Sequence, residues 1–264
     1  ASKAKLIVVD ECSMVDAELG RDLLSFDCPL LVLGDPAQLP PIAGGGFFTN
    51  TEPDAMLTEV HRQAQDDPIV RMSMDVREGR ELEIGRHGES DVISRKELDP
   101  ERVMNADQVL VERNNTRRAY NMRIRQKQNI EEPLPVAGDK LVCLRNNRKK
   151  GLFNGGLWRV KSRAQSKSRI VTMRVMPDEE FGHKVTKVSV RGECFEGGIE
   201  GIPWEQRKPY DEFDYGYVLT VHKSQGSQWD DVVLFDESFA FQDSRARWLY
   251  TGITRAAKRL SVVV

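Results

Sequence analysis

Two acidic residues, Asp10 and Glu11, close the apolar run LIVVD at 6–10. A carboxylate pair at such a place can do phosphate chemistry. Asp10 would hold Mg²⁺, usually through water, while Glu11 would polarise the water that attacks a γ-phosphate. A bare Asp-Glu pair also describes an ordinary strand-end turn, so its neighbours must decide. A second apolar run, LLVLGD at 30–35, leads to Gln38. A glutamine at a sheet edge can hydrogen-bond a γ-phosphate or its attacking water and report nucleotide state. The same string also reads as a Gly-Asp-Pro turn before a rigid Pro40-Pro41 pair.

Both runs are continuous apolar stretches, which predicts strands of a parallel sheet buried on both faces. Between them, residues 17–25 carry Leu19, Leu23 and Leu24 at helical spacing, so the unit is βαβ. Parallel sheets assemble ligand sites at the C-terminal ends of their strands, where Asp10 and Gln38 fall. Segment 56–79 reads as a strand end and then a helix, with Pro68 in the first turn and Gly79 as the stop. Residues 80–104 are charged, lack a clear period and read as a connector. From Asp107, QVLVER reads as a strand, followed by a helix opened by Asn114 or Asn115. After Gly138 come short β-like runs punctuated by Gly and Pro, the pattern of a small inserted β-barrel. The α/β pattern returns with GYVLTVHKSQG, DDVVLFDE, a helix over 243–257 and the strand RLSVVV.

Composition narrows the class. With 39 Lys+Arg against 41 Asp+Glu, the formal charge is −2, which excludes a histone-like polycation. The four cysteines, Cys12, Cys28, Cys143 and Cys194, form no CxxC pair and lie at no zinc-ligand spacing. A reducing, cytoplasmic setting fits them. No signal-peptide pattern occurs, and no run reaches the roughly 20 apolar residues of a membrane span. A buried strand so close to Ala1 implies a fragment, because domains seldom open in mid-sheet.

The motifs carry a resemblance. DECSMVD (10–16) together with GDPAQLPPI (34–42) resembles motifs II and III of superfamily 1 helicases in the RecD/Dda-like branch. The QLPP ending separates it from the UvrD-like branch, where QSIY is usual. LTEVHRQ (57–63) is similar to motif IV, which implies that Arg62 contacts the γ-phosphate. YVLTVHKSQGSQWDDVVL (217–234) resembles motif V. There Thr220, His222 and Gln225 are implied to touch single-stranded DNA or couple it to the nucleotide, while Lys223 and the backbone around Gly226 and Ser227 can reach phosphates. Gln228-Trp229 stands where the family often has Glu-Phe, so Gln228 takes the place of an acidic ribose contact. WLYTGITRAAKRL (248–260) resembles motif VI and makes Arg255 the arginine finger, with Tyr250 in the core and Lys258 and Arg259 at a solvated helix end. Asn114, Arg117, Asn121 and Arg123 match a helix of the second motor domain, and Asn114 is a DNA-binding candidate.

Residues 140–170 hold ten Lys/Arg and no Asp or Glu, with Phe153 and Trp158 interleaved. Such a stretch can track a nucleic-acid backbone while an aromatic ring stacks on bases; it can equally be a solvated barrel face with Trp158 in its core. Trp158 stays a DNA-binding candidate on the first reading. GDKLVCLRNN and LFNGGLWRV resemble the accessory barrel of RecD-like helicases.

The resemblance implies an α/β chain of P-loop NTPase (RecA-like) helicase domains. The first, 1–83, is incomplete; 84–104 connects; 105–137 and 211–264 form the second; and a small Src-homology-3-like β-barrel, 138–210, is inserted in it. It implies an ATP-dependent DNA helicase or translocase of DNA repair or recombination, moving 5′ to 3′. ATP and Mg²⁺ would be its cofactors and single-stranded DNA its partner, with nuclease or replication and repair proteins as further partners of a monomer. The chain contains no GxxxxGK[ST] string. Weak ATP binding and negligible hydrolysis are therefore expected of these residues alone, although the parent would hydrolyse ATP. Two other readings stay open: an ATP-independent nucleic-acid-binding module, and an RNA helicase.

Overall fold

A computed structural model describes residues 4–41, 45–57, 66–163, 169–178, 184–241 and 244–264. The chain divides into two compact units, Ala1–Glu112 with Ser224–Val264, and Arg113–Lys223.

In the first unit, β1 (Ile7–Val9) pairs in parallel with β2 (Leu30–Val32), Ile7 opposite Leu30 and Val9 opposite Val32. The connecting helix α1 (Ala17–Leu24) starts where Asp16 accepts a 2.9 Å hydrogen bond from the Leu19 amide. Val9, Cys12 and Val15 pack with Leu23, Phe47 and Phe48 on one side of this pair. Gly20 is required there, because a Cβ would stand 2.3 Å from the Phe47 ring. Burial on both faces, expected from the apolar runs, does not occur: Val8 is 55% and Leu31 46% exposed. Continuous apolar character matches this βαβ unit, but its single helix covers one face only.

α2 (Pro68–Arg77) begins with Pro68 after the capping Asp67, whose carboxylate accepts from the Ile69 amide at 2.7 Å. It ends before Gly79, at φ 77°. Both termini are as the sequence predicts. The expected connector instead contributes to the larger sheet. β3 (Gly85–His87) and β4 (Ser90–Ile93) form a hairpin, followed by α3 (Pro100–Asn105) and β5 (Gln108–Val111). A four-residue strand among charged residues has too short a pattern to stand out. Its pairing partner lies at the far end of the chain, in β13 (Ala256–Val263), where Val264 donates to the Ile93 carbonyl at 2.9 Å. With β12 (Trp229–Phe235), these strands run in the order β5-β12-β13-β4-β3 and are parallel apart from β3. α2 packs on α5 (Arg245–Ile253) and on β13. The helix expected over 243–257 stops at Ile253, and Lys258 and Arg259, expected at a helix end, are exposed on a strand.

In the second unit, α4 (Asn114–Lys127) precedes β6 (Lys140–Cys143), β7 (Leu157–Arg163), β8 (Ile170–Pro177), β9 (Thr186–Arg191), β10 (Phe213–Tyr215) and β11 (Val218–Thr220). The cap of α4 is Arg113, without a side-chain bond, rather than an asparagine. Asn114 instead accepts from Arg117 Nε at 3.2 Å. An antiparallel sheet runs β10-β6-β7-β8-β9, and a bridge between Val190 and Asp211 brings its β9 edge to the segment entering β10. Its core holds Leu141, Leu152, Trp158, Val160, Met173, Phe195, Phe213 and Tyr215. Arg125 and Asp139, both fully buried, tie α4 to the sheet through a fork of 3.0 and 3.1 Å bonds. The Arg125 guanidinium also lies 4.4 Å from the Tyr215 ring centre and donates to the Glu132 and Leu134 carbonyls. Asn121 pairs with Val218 as a strand neighbour would, donating to its carbonyl and accepting from its amide at 3.0 Å each.

Candidate nucleotide site and nucleic-acid face

The ends of β1 and β2 bring the first-unit candidates together. Glu11 follows β1 in a left-handed conformation, φ 52° and ψ 46°, and its amide donates to Asp10 Oδ1 at 2.9 Å. A non-glycine residue held there costs roughly 1–2 kcal/mol, a strain that recurs at functional sites. Gly34 keeps the turn after β2 close to Cys12, since a Cβ would come within 2.5 Å of its sulfur. Burial pushes the Cys12 thiol up from its ordinary value, and Glu11, Asp10 and Asp35 add to it. Three carboxylates therefore surround one small region.

The turn between α5 and β13 supplies the opposite sign. Arg255 is 6% exposed, and its guanidinium donates to the carbonyls of Thr251 (3.1 Å) and Ser227 (3.2 Å) and to Thr254 Oγ1 (3.1 Å). Burial lowers its affinity for the proton; the Glu11 charge is the largest influence holding it up, before Tyr250 and Asp35. Arg255 forms no salt bridge with a described residue, so the cation is buried without a carboxylate bonded to it. Such a cation is suited to stabilising charge that develops on a third group.

Two residues that carry this arrangement were not singled out by motif. Tyr250, expected as core, donates to Asp35 Oδ2 at 2.5 Å, and burial followed by this bond pushes its phenol up to about 12. Thr251 Oγ1 accepts from the Leu39 amide at 2.9 Å, while Gln225 Nε2 donates to the Leu39 carbonyl at 2.9 Å. Leu39, 2% exposed, is thereby held at both backbone groups. No spacing rule finds these pairings, because the partners stand 215, 212 and 186 positions apart.

Gln38 lies next to this clamp, and its Oε1 is buried without a hydrogen-bond partner, as are Ser13 Oγ and Gln225 Oε1. Buried orphan acceptors cost free energy unless a ligand or water completes them. No group of three or more His, Cys, Asp or Glu among the described residues could hold a metal by protein ligands alone. One carboxylate, Asp10, with nucleotide oxygens and waters is nonetheless a usual Mg²⁺ environment, so these residues fit Mg²⁺ carried by a nucleoside triphosphate. Gly226, at φ 74°, and Gln228 are both exposed on the loop before β12. Arg62 lies outside the described residues.

In the second unit, Thr220 Oγ1 accepts from the Lys223 amide at 3.3 Å and opens the short helix Val221–Ser224. His222 and Lys223 are half-buried on it. Burial lowers the Lys223 ammonium from its ordinary value, the Arg117 charge adds to that and Asp214 opposes it. Arg117 Nη1 stands 2.8 Å from Asp214 Oδ2 but off the hydrogen-bond direction. Asn114 is exposed at the start of α4. Trp158 is a correction: it is 6% exposed, packed edge-on against Phe213 at 6.4 Å, and has no free face for a base. Inward-facing strand positions bury their rings whatever charges flank them.

A family profile described as "AAA domain" matches residues 1–97, and "UvrD-like helicase C-terminal domain" matches 215–263. The crystal structure of Pif1 helicase from Candida albicans superposes with a TM-score of 0.58 at 17% identity, covering 98% of this chain and 72% of that one. Bacteroides Pif1 in complex with ADP-AlF3 and ssDNA gives 0.58 at 14%, covering 98% and 70%. The chain thus shares the α/β fold of these Pif1 helicase structures. In sequence, the ATP-dependent RecD2 DNA helicase of Deinococcus radiodurans is 26% identical over 278 residues, 96% of this chain and 35% of that protein. The RecBCD enzyme subunit RecD of Buchnera aphidicola is 26% identical over 133 residues, 50% of this chain and 18% of that protein. In sequence the chain resembles these RecD-type proteins, and it spans about a third or less of their length.

Proposed function

We propose that the chain is motor machinery of an ATP-dependent DNA helicase or translocase of the RecD type. Mg²⁺·ATP is held with Asp10 on the metal, Glu11 and Gln38 on the attacking water, and Arg255 and Arg62 on the phosphates. Thr220, His222, Lys223, Gln225 and Asn114 contact single-stranded DNA, and Gly226 and Gln228 border the nucleotide. The observation that carries the reading is Arg255, buried and held by two backbone carbonyls and a hydroxyl with no carboxylate among the described residues bonded to it. The closing of β9 onto residue 211 supports a Src-homology-3-like barrel as the inserted domain. Movement 5′ to 3′, a monomeric state and repair or nuclease partners rest on the RecD likeness alone.

ATP hydrolysis depends on a P-loop from outside these residues, since no GxxxxGK[ST] string occurs in them. Hydrolysis at saturating single-stranded DNA tests this: the chain alone is expected to turn over negligibly, and joined to a P-loop segment of a RecD-type relative it is expected to become a DNA-stimulated ATPase. Robust turnover by the chain alone would overturn the division of labour. Single-strand binding that is salt-sensitive and indifferent to nucleotide in the joined protein would replace the motor with a passive binding platform.

A further inference from the structure

The hairpin between β6 and β7 combines features that the motor motifs do not use. Its residues are Leu144–Gly156, and Arg148 and Lys149 are both exposed near its tip, neither ion-paired to a described residue. Phe153 is 59% exposed beside Leu152, which is fully buried. The hairpin is braced: Asn147 and Leu152 form a bridge, and Asn147 Nδ2 and Lys150 Nζ reach Asp211 at 3.0 and 2.5 Å. At its base, Arg145 bonds Glu212 and lies 5.1 Å from the Trp204 ring centre. The exposed phenyl ring thus projects from a backbone anchored at its neighbour Leu152.

We propose that Phe153 is a stacking platform for a base of single-stranded nucleic acid, with Arg148 and Lys149 on the adjoining phosphates. This deepens the DNA reading above and rests on it, adding a binding residue outside the helicase motifs. Charge selects the occupant. Residues 140–170 contain no carboxylate, and the Asp211 and Glu212 carboxylates that brace the hairpin are buried against Lys150 and Arg145, so the exposed Arg148 and Lys149 favour a polyanion, whereas a basic or neutral peptide gains nothing from them. A flat ring accepts any base, so the stacking is sequence-tolerant.

The test is fluorescence anisotropy of the 264-residue chain with a labelled oligothymidylate, titrated across salt concentrations. Phe153→Ala is expected to weaken binding about 5- to 150-fold at constant salt slope, and Phe153→Trp to restore it. Arg148→Ala with Lys149→Ala is expected to flatten log K against log salt by about 0.7 for each phosphate left without its cation. Because Phe153 is largely exposed, unchanged thermal unfolding of Phe153→Ala excludes a folding defect. If Phe153→Ala binds within about twofold of the unaltered chain while Gln225→Ala is impaired, the stacking platform is overturned and the motif reading stands. An equal weakening on duplex DNA also overturns it, since paired bases offer no face. If the unaltered chain binds no oligonucleotide at low salt, the DNA reading falls with it.

Discussion

Tyr250 Oη and Asp35 Oδ2, 215 positions apart in the chain, are joined by a 2.5 Å hydrogen bond that links α5 to the turn after β2. Arg255 stands five residues beyond Tyr250, just past the end of α5, so the bond ties the helix that precedes the buried guanidinium to the turn that carries Asp35. Tyr250→Phe removes a hydrogen bond to a carboxylate and is expected to cost about 1.5–3 kcal/mol in urea unfolding. An unchanged midpoint would show that the bond contributes nothing.

The same phenol predicts a pH dependence. Its folded value, about 12, lies above that of an unfolded tyrosine, so the native state holds the proton more tightly. The stability it contributes is complete below about pH 10 and is lost as pH rises toward 12. The difference between the unaltered protein and Tyr250→Phe should shrink across that window.

Glu11→Gly exchanges strain against chemistry. Glycine adopts the left-handed backbone at position 11 without penalty, so stability is expected to rise by up to about 1 kcal/mol. Hydrolysis by a protein completed with a P-loop is expected to fall together with that gain. A variant that is both more stable and fully active would remove Glu11 from the reaction.

Arg255→Ala in the same completed protein is expected to lower DNA-stimulated hydrolysis by about 10³- to 10⁵-fold, the range for arginine fingers. Nucleotide binding, followed with a fluorescent analogue, should change far less. A parallel fall in both would make Arg255 a ground-state binding residue.

Asp139→Asn strands the fully buried Arg125 and is expected to cost about 3–5 kcal/mol. The double change Arg125→Met with Asp139→Leu should cost much less than the sum of the single changes, because no lone charge remains. Additive costs in a double-mutant cycle would show that the two charges act independently.

Where the candidate residues sit along the chain was legible in the sequence because it is local. Asp10, Glu11 and Gln38 sit at strand ends that apolar runs announce, and Pro68 and Gly79 bound their helix by backbone geometry that each residue imposes on itself. Charge flanking a ring was a poor guide: Trp158 and Phe153 share one basic stretch, yet strand alternation turns the first inward and the hairpin turns the second out.

What tertiary structure decided is what depends on distant partners. β4 becomes a strand only when β13 lies beside it, and Leu39 is held only because Thr251 and Gln225 arrive from the other end of the chain. The open face of β1 and β2 belongs here too, since apolar side chains state a preference for burial while the elements packed against them determine whether it is met. Sequence encodes propensities and side-chain chemistry residue by residue; pairing across some 200 positions is a property of the folded chain, where hydrogen bonds and buried charges find partners that spacing cannot name.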